Sequence, residues 1–410
     1  MKYFLTLTIT LAPIFCFGQI RTLNEYIQLA KGNSATLKSF QNQILSNQID
    51  SQILKATIKT QLNFISNEMY APVIKGWGYD EVITNIAQVS AMVQATKSFL
   101  SKGNLAAQYR KIALQNQSLR DTLLLSVKDL IRTITEQYIT AYGDQLTMDN
   151  SRELYELLQK EADILKKLAQ SNVIKQTEFL AFDITRQQQE LTYLQAQIQY
   201  NTDYLTLNYL AGIVDTTITR IEEPRLNDSL PHDFYSSVFF HRYVTDSLRI
   251  ANERRLIDYS YRPTFNAFSD AGFNSSLQNT PYKNLGFSFG VNIKKPIYDG
   301  HQKRLKYQKL DIEERTRQTN RNFFINQYNQ QVSQLIIQLR ATDQLFEKIK
   351  QQVSYTKTLI LAYEKLLETS DVKIIDFVTA ITNYLNAQNS YRQNFISRFK
   401  IMNQLNYWNQ

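Results

Sequence analysis

The 410-residue sequence predicts a mainly α-helical chain: long, coiled-coil-like helices joined to short β-strands suited to a membrane, laid out in two copies of one plan. Three observations carry this. Chain breakers are scarce, with 11 Gly and 7 Pro, far below the usual share of about 12%. They are also clustered, so residues 104–142, 144–211 and 301–410 contain neither. Finally, short strings recur at a near-constant offset: Asp144-Gln145-Leu146 returns as Asp343-Gln344-Leu345, and Glu178-Phe179-Leu180-Ala181 is approximated by Asp376-Phe377-Val378. A β-sandwich or compact α/β enzyme needs punctuation every ten residues or so and is disfavoured. A hydrophobic share of 43% excludes a disordered chain.

The first 18 residues read as a secretory signal peptide. Lys2 supplies the positive end, Tyr3 to Phe17 is largely apolar, and Cys16-Phe17-Gly18 is a small-x-small cleavage site. Cleavage removes the single Cys, leaving neither disulfide nor thiolate chemistry. A lipid anchor on Cys16 is the lesser alternative. The apolar run is too short to span a bilayer as a helix, and no later run reaches 18 residues. A membrane-spanning part must therefore be built of β-strands.

A first helix is expected over about 22–58. Strand candidates follow at 61–66 and 88–96. In the latter, Val89, Ala91, Val93 and Ala95 alternate with Gln88, Ser90, Met92, Gln94 and Thr96. A long helix from 104 to about 168 would run about 98 Å, with Gly143 marking a kink or a close approach. A return helix covers about 173–211. Its Ile184, Leu191, Ile198 and Leu205 keep a seven-residue period, the spacing of a coiled-coil seam. Residues 212–262 connect the halves. The second half repeats the plan with strands at 264–269 and 285–294, a long helix from 301 to about 368 and a return helix over 373–408. Leu285, Phe287, Phe289, Val291 and Ile293 alternate with Gly286, Ser288, Gly290, Asn292 and Lys294. Phe346, Val353, Ile360 and Leu367 form a second heptad register.

Strands apolar on one face and small or polar on the other fit a transmembrane barrel with a wet lumen. Alternation alone equally fits a soluble sheet with one solvated face. The signal peptide and the very long helices favour the barrel. Tyr70, Trp77, Tyr79 and Tyr282 fall near strand ends, where either an aromatic belt or loop packing would place them.

Little in the chain points to chemistry. His232, His241 and His301 share no metal-ligand spacing, and no phosphate-binding loop or nucleophile elbow occurs. No catalytic residue, metal or cofactor is expected. The net charge of +9 is spread along helices, so lipid headgroups are favoured over nucleic acid. The sixteen residues Glu153–Leu168 mix Glu and Lys as a solvated helix face would.

Three segments resemble the TolC family of outer membrane efflux proteins. They are Leu23-x-x-Tyr26-Ile27-x-Leu29-Ala30-x-x-Asn33, then Lys295-Pro296-Ile297-Tyr298-Asp299-Gly300, then Asp376-Phe377-Val378-x-Ala380 with Tyr384-Leu385-Asn386-Ala387-Gln388 and Tyr391. The resemblance covers about residues 20–408. It implies a homotrimer in the outer membrane, each subunit giving four strands to one twelve-stranded barrel and a helical tunnel to the periplasm. It implies a passive exit duct of a tripartite efflux or type I secretion system, partnered by a periplasmic adaptor and an inner-membrane transporter of RND or ABC type. The tunnel would narrow at two helix-turn tips, Ser171-Asn172 and Ser370-Asp371, which are also the docking points. The family's acidic ring maps to Asp376, with Thr379 three residues on, and its gate-linking Thr-Asp pair maps to Thr177 and Glu178. The Tyr and Arg partners of that pair fall at Leu367 and Val372, a departure from the family. The competing readings are a periplasmic adaptor and a coiled-coil envelope scaffold.

Overall fold

The computed structural model describes residues 21–79, 87–227, 234–276, 281–368 and 373–409. The signal-peptide segment, His232, Ser370, Asp371 and Val372 lie outside them. Seven α-helices and four strands follow in chain order among the described residues: α1 Leu23–Asn33, α2 Ala35–Thr57, β1 Gln61–Tyr70, β2 Ala87–Phe99, α3 Lys102–Gln170, α4 Gln176–Leu210, α5 Val238–Ser260, β3 Thr264–Ser275, β4 Leu285–Lys294, α6 Gln302–Glu368 and α7 Ile374–Trp408. No described helix is long and apolar enough to cross a membrane.

The expected first helix is two. Ser34 is extended (φ −61°, ψ 113°), its N–H closes α1 on Ala30, and its Oγ accepts from the Leu37 N–H at 3.3 Å. One short polar residue thus ends one helix and caps the next. The strands run further than alternation alone indicates: β1 extends to Tyr70 and β3 to Ser275. Ladder pairing carries them past the point where the pattern breaks.

The chain forms two compact units, each drawn from both halves of the sequence. Among the described residues the first comprises 21–37, 126–227, 327–368 and 373–409. One core joins Tyr26 of α1, Ile134 and Tyr138 of α3, and Tyr200, Tyr204 and Leu207 of α4. Each buried phenol needs a partner, and the Tyr hydroxyls find them. Tyr26 donates to Asn208 Oδ1 at 2.9 Å and Tyr138 to the Glu222 carbonyl at 2.8 Å. Buried Gln145 straps the connector by bonding both the N–H and the carbonyl of Ile221. Gly143 marks a close approach: a Cβ there would meet Ile396 of α7 at 2.3 Å. A second core joins Leu154, Leu158 and Leu165 of α3, Phe182 of α4, Ile360 of α6 and Phe377 of α7. Glu161 departs from the expected solvated face of Glu153–Leu168, since it is buried.

The second unit comprises residues 38–125 and 234–326 and contains the sheet. Its strands are antiparallel in the order β1-β2-β3-β4. Beside it, α3 and α5 are tied by Asp121. This buried carboxylate accepts from Thr245 Oγ1 at 2.8 Å and Gln117 Nε2 at 2.9 Å, and faces His241 Nδ1 at 3.2 Å. Buried charge is tolerable only when satisfied in this way.

Candidate functional site

The first element of the site is the sheet, whose register sorts its residues into two faces. Phe64 pairs Val93, Val93 pairs Ala271, and Ala271 pairs Phe287, so these four share one face. That face also holds Leu62, Phe289 and Val291. Leu62 is 72% exposed and Phe289 is 81% exposed. Asn63, Gln94, Asp270 and Ser288 share the other face by the same pairing. An exposed apolar face of this kind requires hydrocarbon or a partner, not water. The outer edges of β1 and β4 pair with no strand among the described residues. Tyr70 at the end of β1, Trp77 and Tyr79 beyond it, and Tyr282 before β4 are all strongly exposed.

The second element is the pair of helix starts in the first unit. At the end of α3 the Val173 N–H bonds the Leu168 carbonyl at 2.9 Å and the Asn172 N–H bonds Ala169 at 3.1 Å. This is a Schellman closure. Asn172 takes the left-handed conformation it needs, with φ 56°. Ser171 Oγ donates to the Lys167 carbonyl at 2.8 Å. α4 then begins after Lys175, an extended residue with no side-chain cap bond, and α7 begins after Lys373 in the same way. Glu178 and Asp376 fall in the corresponding first turns, where a carboxylate faces the positive helix end. Both are exposed, as are Thr177 and Thr379. Thr379 Oγ1 donates back to the Ile375 carbonyl at 2.7 Å. Just beyond, Phe182 and Phe377 stack with centroids 6.1 Å apart and planes 8° from parallel, fixing α4 against α7.

Sequence reasoning missed a carboxylate pair in the first unit. Asp144 of α3 is buried and lies 3.4 Å from Arg392 of α7. Burial, then the hydrogen bond and charge of Asp203, push its pKa up to about 7 against the pull of Arg392 and Lys400. Burial alone would raise Asp203 too, but hydrogen bonds from Asp144, Gln199 and Gln137 bring it below the ordinary carboxylate value. The repeated Asp-Gln-Leu string was the available signal. No group of His, Cys, Asp and Glu able to hold a metal occurs among the described residues.

No protein-family model and no curated protein matches the chain. Solved structures do, and they define a fold class: long helices with a four-stranded antiparallel sheet, as in outer membrane channels. CusC, described in connection with transmembrane channel formation, superposes with a TM-score of 0.75 at 11% identity over 95% of this chain and 92% of its own. The outer membrane protein VceC of Vibrio cholerae gives 0.73 at 12% identity over 94% and 95%. The CmeC outer membrane channel of Campylobacter jejuni gives 0.74 at 11% over 94% and 85%. The chain has the fold of these channels over nearly its whole length.

Proposed function

We propose that the chain is one subunit of an outer membrane duct, the passive exit of a tripartite efflux or type I secretion system. The observation that carries this is the four-stranded sheet: one bare apolar face, one polar face and two open edges. Open edges are not tolerated in hydrocarbon, and four strands cannot close on themselves. Three copies supply twelve strands and remove every edge. The heptad stripe on α4 supports the same association. Ile184 is 67% exposed and Ile198 66% exposed, with Leu191 and Leu205 between and beyond them also bare. A coiled-coil seam left bare by the described residues calls for a neighbouring copy. The matching lengths of α4 and α7, 35 residues each, support an internal two-fold repeat over 19–211 and 263–410, with 212–262 as connector.

In this reading the helix tips form the gate. Asp376 and Thr379, with Thr177 and Glu178, line the narrow entrance. Ser171 and Asn172, with Ser370 and Asp371, meet the periplasmic adaptor and an RND or ABC transporter. Partner binding favours an open arrangement of the tips over a closed one, which needs only differential affinity for the two. No energy source or cofactor belongs to the chain itself. An adaptor or envelope scaffold would have no use for a lipid-facing sheet.

The test is fractionation of cells expressing the full chain. Retention in outer membrane fractions through a carbonate wash is expected. Release by that wash would leave the scaffold reading and remove the duct.

A further inference from the structure

The polar face of the sheet is lined by amides and hydroxyls such as Asn63, Gln94, Asn266 and Ser288. Between its ends it carries one charged group among the described residues, Asp270, the seventh residue of β3. The register leaves no freedom in this placement, since a shift of one residue would turn Asp270 towards lipid. Ser288 Oγ donates to Asp270 Oδ1 at 2.6 Å and holds the carboxylate in place.

Glycine occupies three positions beside that carboxylate on the same face. Gly272 is its neighbour on the same face of β3, and Gly286 and Gly290 are its diagonal neighbours on β4. A side chain at Gly272 would strike the Ala91 carbonyl, and Phe268 lies over Gly290, while a Cβ at Gly286 would meet nothing within 4 Å. Of the three, Gly286 alone fronts open space, which leaves room beside the carboxylate on that side. The other charge on this face, Lys294, sits at the strand end, six residues along the ladder from Ser288. That is about 20 Å at the rise of a strand, beyond the screening length of about 10 Å at 0.1 M salt.

We propose that Asp270 is a selectivity-determining residue of the barrel lumen, giving the duct a preference for cations and protonated amines that is independent of the helix tips. This rests on the duct reading. A fixed negative charge in a water-filled passage raises local cation concentration and repels anions, and three copies would form a ring at one level. Neutral passage is untouched, since the rest of this face between its ends carries uncharged residues among those described.

The experiment is the reversal potential of the purified full chain in planar bilayers under a KCl gradient. The native protein is expected to prefer K⁺ over Cl⁻, more strongly near 0.1 M than near 1 M salt, where the screening length falls to about 3 Å. D270N is expected to move the reversal potential towards zero, and D270E to keep it. D376A is expected to leave the Asp270-dependent part in place. Channels of D270N with the native reversal potential, or a native protein without cation preference, overturn the role of Asp270. Absence of conductance in both the native protein and D270E refutes the duct reading itself. Should D270N fail to insert, D270S carries the same two outcomes.

Discussion

The stacked pair Phe182 and Phe377 offers the sharpest test of how the gate-bearing helices are held. Neither ring is exposed to solvent, and together they join the second turn of α4 to the end of the first turn of α7. Truncating a fully buried Phe to Ala costs about 3–5 kcal/mol, transfer and cavity terms combined. Ring-on-ring contact contributes about 0.5–1.5 kcal/mol of that beyond area burial. The loss falls on the first turns of both helices, since Gln176 and Ile374 start them only a few residues earlier. Amide hydrogen exchange on the detergent-solubilised protein reads this directly as local opening. In F182A, protection of amides in 374–384 should fall by about two to three powers of ten, at 1.4 kcal/mol per tenfold. F377A should do the same to 176–186. The double variant should cost less than the sum of the singles by the coupling of the two rings. Singles that change protection less than about tenfold, or strictly additive costs, would refute the packing argument.

Three further outcomes are expected. Asp144 has a folded pKa raised above its unfolded one, so its contribution to stability is present in acid and lost as pH rises through about 7. The thermal midpoint of the native protein should therefore fall as pH rises from about 4 to about 7, and D144N should flatten that slope, as differential scanning calorimetry would show; an unchanged slope contradicts the assignment. G272A would drive a Cβ to 2.2 Å from the Ala91 carbonyl, a main-chain contact that cannot yield, so the amount of protein assembled in outer membranes should drop sharply on immunoblots. D376A should change helix stability by no more than about 1 kcal/mol, the scale of a first-turn carboxylate, yet weaken cation preference at the entrance; unaltered ion selectivity would take Asp376 out of the gate.

The fold was legible where a periodic pattern dominated. Alternation from Leu285 to Ile293 placed β4 to the residue, and the breaker-free stretches gave α3, α4, α6 and α7 within a few residues. Where local rules compete with long-range pairing, the pattern ran short. Ser66-Asn67-Glu68 breaks the alternation of β1, but Glu68 still pairs with Val89, so the strand continues. The division at Ser34 was signalled by Gly32-Asn33-Ser34 and overridden by the apolar period on either side. The heptad of α4 was visible as a seam, but sequence could not reveal that it stays bare among the described residues. The left-handed turn at Asn172 was legible from residue type. Burial of Asp144 was not, because Arg392 stands 248 positions away and only tertiary packing brings it near. Asp270 lay one residue beyond the strand expected over 264–269, and its significance depends on a register that no single strand encodes.

The mass of the detergent-solubilised full chain, measured by light scattering with the detergent contribution subtracted, bears most directly on the barrel. Three times the chain mass is expected, since no smaller number of four-stranded sheets reaches twelve strands. A stable monomer would leave both edges of the sheet unpaired in hydrocarbon and would contradict it.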